Sequence, residues 1–447
     1  MRALFPWVLI VLCPPALADL YTAHLAYQQG DFVRAFADFR DLAELGQPLA
    51  QYSLAVMYSK GQGTRQSELN AYAWATLAAE NGEARGRALA DELRPMLAPG
   101  SERIAEDIRA PYTRATLDVK LMPQAPPDDG VDRRCWALKQ VIPEYPEDAQ
   151  RLGMDGEVYV EWTVSADGSA RHPRVAYAVP PNKFESAVQS AVLHTRYPAA
   201  NPSAPAAHCS QMYRFIQGRG AENLRLQQYV KETRVKADNG DVGAQVLYGM
   251  LLGLPQLQHK PQDGLPWFLK AAQAGSHLAQ FEVGNALMSG WGCQCDDHKG
   301  LVWLRRAAEA DEPNAQVALA GYALRGNPDA ASTRKAAIWL ERAAAHQDPY
   351  GMLYLSALLA ATPVAELRDS KRALQLVDGA HSLRGDPTPF EIRAAAQAAS
   401  ADFAAAVRNE REAIALATKL QWDLAPLDER LVRYESRQPW YGDLLAF

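Results

Sequence analysis

No stretch of this chain is apolar for long enough to cross a bilayer. The apolar run near the N-terminus extends from Leu4 to Leu12, well short of the about 20 residues a hydrocarbon core demands. Runs of like charge are missing as well. Between Val131 and Ile216 nine Lys and Arg stand against nine Asp and Glu, and the formal net charge is −6. That removes both the basic face of a nucleic-acid binder and the charged arm of a disordered tail. A G-x-S-x-G elbow, a P-loop and a dinucleotide fingerprint are all lacking. Cysteine is scarce, at five residues in 447. What is present is ordinary for a globular protein, with 48% hydrophobic and 22% charged residues. The length is enough for two to four domains.

The N-terminus reads as a targeting signal. Arg2 is the positive flank, Pro14-Pro15 ends any helix, and Ala16-Leu17-Ala18 is a small-x-small cleavage site. Residues 1–18 are expected to be removed, so that the mature chain begins at Asp19. An uncleaved anchor is disfavoured by the short run and its two prolines, and a lipid attached at Cys13 by bulky Leu12. The product is expected in the periplasm of a Gram-negative envelope, with no integral membrane span after cleavage. Cys135, Cys209, Cys293 and Cys295 then remain, an even number in an oxidising compartment. Four cysteines allow three pairings. Cys135 and Cys209 bracket the middle of the chain and are assigned to one bridge. Cys293 and Cys295 are assigned to a second, whose small C-x-C ring would be strained; two free thiols are the alternative.

Most of the chain is Ala-rich and repetitive. Segments beginning at Trp267, Trp303 and Trp339 recur 36 residues apart, each reading Trp-aromatic/Leu-x-x-Ala-Ala in outline. Ala-Gln pairs at Ala244, Ala279 and Ala315 keep nearly the same period, and Ala50-Gln51 opens a similar unit before the middle. A period in the mid-thirties with two helices per unit means an α-solenoid. These units resemble Sel-one-like repeats, relatives of the tetratricopeptide repeat, with Gly290-Trp-Gly292, Asp297-His-Lys299 and Trp303 to Ala308 on the family pattern. Leu20 to Phe39 reads as a degenerate first helix pair, and Glu83 to Leu117 as one or two further helices limited by Pro95, Pro99 and Pro111. Phe390–Ala399, Phe403–Leu416 and Leu427–Tyr434 read as capping helices, which a solenoid end requires.

From Val141 to Phe215 the pattern changes. Val158, Val160, Trp162 and Val164 alternate with polar residues, Asp167-Gly168 marks a hairpin turn, and Ala170–Val179 is the partner strand. An amphipathic helix over 183–194 and a third strand over 210–217 complete a β-β-α-β order. Tyr145, Pro146, Ala149, Gly153, Gly156, Val158, Val160, Val164, Asp167 and Gly168 fall on the pattern of the TonB C-terminal domain family, which this segment resembles. Thr195 stands where family members often carry Trp, and residues 201–207 replace a Gly-Lys-Pro turn. The resemblance implies that an extended peptide adds to the third strand, here Ser210, Gln211, Met212, Tyr213, Arg214 and Phe215, because an edge strand offers unpaired backbone groups. Covering of that edge by the flanking repeats, or pairing of two copies, is the alternative.

The expected architecture is thus mainly α: an α-solenoid of helix-turn-helix repeats with an inserted α+β module. Its divisions are 1–18 signal peptide, 19–120 first repeats, 121–134 linker, 135–217 TonB-like domain, 218–388 second repeats and 389–447 cap. Cys293, Cys295, Asp296, Asp297 and His298 are off-pattern for zinc and lie on a repeat turn, so no metal and no cofactor is assigned. His172, His194 and His208 read as solvated surface residues. No catalytic residue is assigned. The function expected is a non-enzymatic scaffold for a periplasmic or outer-membrane protein or peptide, linked to TonB-type envelope transport. The alternative is an enzyme of envelope or peptidoglycan metabolism, or its accessory subunit, with a site in the solenoid groove.

Overall fold

The computed structural model describes residues 20–124, 135, 137–199, 207–216, 222–253, 263–290, 292–325, 328–380 and 385–444. The expected signal peptide lies outside the described residues. The chain divides into two compact units, one ending at Met122 and the other beginning at Pro123.

The first unit is helical, with α1 (Leu20–Gln28), α2 (Phe32–Glu44), α3 (Pro48–Lys60), α4 (Glu68–Glu80), α5 (Ala84–Leu93), α6 (Ser101–Arg109) and α7 (Arg114–Lys120). Beyond Glu83 there are three helices where the sequence reading allowed one or two. The reason is Pro95 and Pro111, each inside a short 3-10 turn, Arg94–Met96 and Ala110–Tyr112. A proline has no N–H for the next turn, so the helix stops and restarts.

The second unit opens with α8 (Glu147–Arg151), β1 (Gly156–Val164), β2 (Ala170–Val179), α9 (Glu185–His194) and β3 (Ala207–Phe215). The array follows: α10 (Glu222–Asp238), α11 (Val242–Leu251), α12 (Leu265–Gln273), α13 (His277–Ser289), α14 (Asp297–Glu309), α15 (Pro313–Ala323), α16 (Ala330–Ala345), α17 (Pro349–Ala361) and α18 (Ser370–Gly379). Helices α19 (Thr388–Ala399), α20 (Phe403–Lys419) and α21 (Ala425–Glu435) close it. The protein is thus mainly helical, with one small antiparallel sheet in the order β2-β1-β3.

The recurring Ala-Gln pair has a hydrogen-bonding cause. Gln51, Gln245, Gln280 and Gln316 are buried, and each donates from Nε2 to a carbonyl eight residues back: Ala43 at 3.1 Å, Ala237 at 3.2 Å, Ala272 at 3.2 Å and Ala308 at 3.1 Å. Each acceptor lies in the last turn of the preceding helix, where carbonyls have no partner within the helix. Each also accepts the backbone N–H three residues on, so the glutamine fills its second lone pair and ties two helices together. Asp241, Ser276 and Asp348 cap the helices they precede, accepting from backbone N–H groups at 2.8, 3.2 and 2.6 Å. The small residues allow close approach, since a Cβ on Gly300 would lie 2.8 Å from the Met288 side chain.

In the sheet, the alternation of β1 places Val158, Val160, Trp162 and Val164 in one core with Phe184, Val188 and Val192 from the α9 side. Gly156 is required there because any Cβ would come within 2.1 Å of the Phe184 ring. Gly168 turns the hairpin at φ 77, where its Cβ would meet the Tyr197 carbonyl at 2.3 Å. Cys135 is bonded to Cys209, closing a sequence separation of 74 with the Cα atoms 5.5 Å apart.

Candidate functional site: a sheet with two unlike edges

Both outer strands are edges of the sheet, but they are built differently. β3 pairs with β1 residue for residue from Gly156↔Phe215 to Val164↔Ala207, with no irregularity. The β2 pairing slips twice, between Tyr159 and Val160 and again between Glu161 and Thr163. Near the second slip His172 takes φ 53 and Pro173 contributes no N–H. The Pro173 carbonyl is occupied as well, accepting from Gln189 Nε2 at 2.9 Å and from the Tyr350 hydroxyl. Bulges and proline blunt an edge against pairing. On β3 there is neither, and among the described residues its outer side makes no backbone hydrogen bond to another element.

The side chains of β3 are largely committed inward. Cys209, Tyr213 and Phe215 belong to the core under α9, where Phe215 stacks on Phe184 with ring centroids 4.5 Å apart. Met212 is 1% exposed. Ser210 and Arg214 turn to the opposite face, where Ser210 Oγ is 2.9 Å from the Tyr159 hydroxyl and Arg214 Nε is 3.2 Å from Glu157 Oε1. Gln211 remains half-buried. What this edge offers a partner is therefore its main chain.

The sheet face opposite α9 is polar yet buried, because the array covers it. Tyr229 of α10 donates its hydroxyl to Glu157 Oε2 at 3.2 Å and lies beneath the Arg214 guanidinium at 4.5 Å. From α13, Glu282 accepts from the Tyr159 hydroxyl at 3.3 Å, and the Phe281 ring lies 5.0 Å from the Arg174 guanidinium. Arg174 pairs with Glu161 inside the module and donates Nη1 to Asn314 of α15 at 2.6 Å. From α17, Tyr350 reaches Pro173, and Tyr354 meets His172 edge to face at 5.5 Å. At the far end, Leu193 is buried with Ala413, Ala417, Leu420 and Trp422 of the cap. There Arg196 donates to the Leu420 carbonyl, Arg171 stacks 3.6 Å from the Trp422 ring, and the Asp423 N–H donates to Asp167 at 3.0 Å. Burial raises the Glu157 carboxyl above its ordinary value against the pull of Arg214.

Two sequence readings are corrected here. Cys293 and Cys295 are free thiols, not a bridge. Each donates instead to a carbonyl at the end of α13, Cys293 to Ala286 and Cys295 to Met288, both at 3.4 Å. Those carbonyls both lie in the last turn of α13, and each thiol is drawn to a different one rather than into a strained ring. His172 is not a solvated surface residue. It is buried under Tyr354, and burial, assisted by Arg171, lowers its pKa to about 3, so it is neutral. His194 is exposed, as read. Among the described residues no group of three or more His, Cys, Asp and Glu is placed to hold a metal.

Sequence reasoning missed the covered face, although a signal for it exists. Positions 282, 318 and 354 are equivalent in successive repeats, as are 278, 314 and 350, one turn earlier. The first set reads Glu, Ala, Tyr and the second Leu, Asn, Tyr. Positions that fail to repeat on a repeating helix mark contact with something that does not repeat. Here that neighbour is the sheet.

Residues 142–216 match the model of the Gram-negative bacterial TonB protein C-terminal family, and residues 48–83, 242–276, 277–312 and 313–348 match the Sel1 repeat. Over 66 residues the chain is 41% identical to protein TonB of Klebsiella aerogenes, covering 15% of this chain and 27% of that protein. It is 36% identical over 66 residues to protein TonB of Escherichia coli, covering 28% of it. The chain thus spans about a quarter of the length of the curated relatives it matches. Among solved structures, a protective antigen of uropathogenic Escherichia coli strains displaying an SLR fold is similar at 17% identity and a TM-score of 0.36, covering 90% of this chain and 70% of that one. A Sel1 repeat protein from Oxalobacter formigenes is similar at 16% identity and a TM-score of 0.32, covering 81% of this chain and 98% of that one. The repeat architecture rests on the chain's own helix pairs and their glutamine bonds. Sel1 repeats beside a TonB-type C-terminal module indicate a protein-interaction scaffold.

Proposed function

We propose that the protein is a non-enzymatic periplasmic scaffold that receives an extended segment of a partner protein on the outer edge of β3, by strand addition. The carrying observation is the inequality of the two edges: β2 is bulged, carries Pro173 and is capped by Tyr350, whereas β3 is regular and its outer side makes no backbone hydrogen bond among the described residues. Strand addition draws affinity from main-chain hydrogen bonds, and main chain is what this edge presents. The divisions read from the sequence fit this role: repeats over 19–120 and 218–388, a linker over 121–134, the receiving module over 135–217 and a cap over 389–447. An envelope location agrees with the Cys135–Cys209 bridge. No helix among the described residues is long and apolar enough to cross a membrane. A catalytic site in the groove of the second array is not favoured, because helices α13, α15 and α17 turn that side to the sheet.

The test is a pair of proline variants captured against periplasmic extract. Of two neighbouring strand residues, one N–H points to β1 and the other outward. Ser210→Pro and Gln211→Pro therefore separate the two directions. The variant that keeps its melting temperature is the outward one, and it should lose the partner. A folded outward variant that retains every partner would rule out strand addition.

A further inference from the structure

We propose that the module is latched to the array by a proton shared between Glu161 of β1 and Glu282 of α13, and that losing this proton loosens the sheet from α13. The proposal is independent of what β3 binds. Glu161 is 1% exposed and Glu282 5%. Their carboxyl groups lie within hydrogen-bonding reach of each other. Glu161 Oε1 and Glu282 Oε1 are both buried without any donor. Two buried, unpartnered acceptors on interacting carboxyl groups are accounted for by one hydrogen between them.

The surrounding groups leave no other way to neutralise the pair. From β2, Arg174 commits Nη2 to Glu161 Oε2 and Nη1 to Asn314 of α15. From β1, Tyr159 has a single hydroxyl proton for two neighbours, Ser210 Oγ at 2.9 Å and Glu282 Oε2 at 3.3 Å. The helix starts packed around Arg174 add further negative charge, Glu312 before α15 and Asp348 before α17, while Tyr354 of α17 is neutral. His277 at the start of α13 acts on Glu312. Four carboxyl groups thus surround one arginine, and burying a second carboxylate beside the first is costly. Burial first, and the Glu161 charge next, push the Glu282 carboxyl well above its ordinary value. The sign follows. A carboxyl whose pKa is raised on folding contributes its full stabilisation at pH below the ordinary carboxylate range, and that contribution is lost as pH rises through the raised value.

The experiment is hydrogen exchange of the β1 amides in the full chain from pH 6 to 9, corrected for the chemical rate of exchange. Wild type should lose about tenfold in protection as pH rises. Glu282→Gln, whose amide donates to Glu161 as the acid does, should stay protected and flat across the range. A flat wild type, or a Glu282→Gln variant that follows the wild-type curve, overturns the proposal. An infrared titration supplies the second readout. The wild-type minus Glu282→Gln difference should contain a protonated-carboxyl band that vanishes where protection is lost, and its absence at pH 6 overturns the proposal. Should Glu282→Gln not fold, wild type decides alone: protection lost with no carboxyl band titrating alongside it overturns the shared proton.

Discussion

The two edges of this sheet receive the same partner strand, β1, and come out opposite. β3 runs beside it for nine residues without a slip, and β2 slips twice in ten. Length and hydrophobicity do not separate them. The difference lies in the two slips of β2, the second of them at Pro173 and the left-handed His172, and in Tyr350, which occupies the Pro173 carbonyl. One edge is shaped by contact with the array, while the other is stapled from its own module by the Cys135–Cys209 bond. An exposed edge is a hazard unless it is blunted or used, and among the described residues only β2 carries a bulge or a proline.

The largest change should come from removing the staple. Closing a loop of 74 residues stabilises by about 4 kcal/mol on the chain-entropy account. Cys135→Ser should lower the module's stability by that order and raise hydrogen exchange in β3 far more than in β2; equal loosening of the two would erase the distinction. Next comes Gly156→Ala, which drives a methyl into Phe184 and, through it, into Phe215. The expected cost is about 1–3 kcal/mol by denaturant unfolding, again concentrated on the β3 side. Tyr350→Phe removes the hydroxyl that the Pro173 carbonyl accepts, and Gln189 Nε2 loses the same neighbour at 2.8 Å. About 1 kcal/mol is expected, with faster exchange near His172 and none of it in β3. The smallest effect on either edge belongs to the cap. Glu410, buried beside Arg430 and Glu391, has its pKa raised by burial to about 8. Its contribution is complete below the ordinary carboxylate value near pH 4.5 and fades as pH rises through about 8. Melting followed from pH 5 to 9 should show that decline in wild type and not in Glu410→Gln, with β3 exchange unchanged between the two.

Much of this was legible beforehand. The 36-residue period, the alternation of β1 and the Asp-Gly turn follow from local rules that the chain obeys, and the Cys135–Cys209 bridge from an even cysteine count with two cysteines bracketing the module. Less legible were the features in which one segment answers another. Cys293 and Cys295 suggest a pair because they are neighbours in sequence, yet each is drawn to a different helix-end carbonyl. His172 looked solvated because polar residues on a hairpin usually are, yet Tyr354 covers it from a helix far along the chain. Glu282 lies inside an apolar helix, where a carboxyl needs a reason, and the reason is on β1.

The sequence by itself determined the parts: helix pairs set by small residues and a recurring glutamine, and a β-β-α-β module set by alternation and two obligatory glycines. Periodicity and turn chemistry are local, so they can be read along one dimension. Only the tertiary structure decided which face of the sheet is closed and which edge is blunted. Those outcomes depend on Glu282, Asn314, Tyr350 and Tyr354 meeting Tyr159, Arg174, Pro173 and His172 across well over a hundred residues of chain. Burial of charge acts through such distant neighbours, and no window along the sequence contains both sides of the contact.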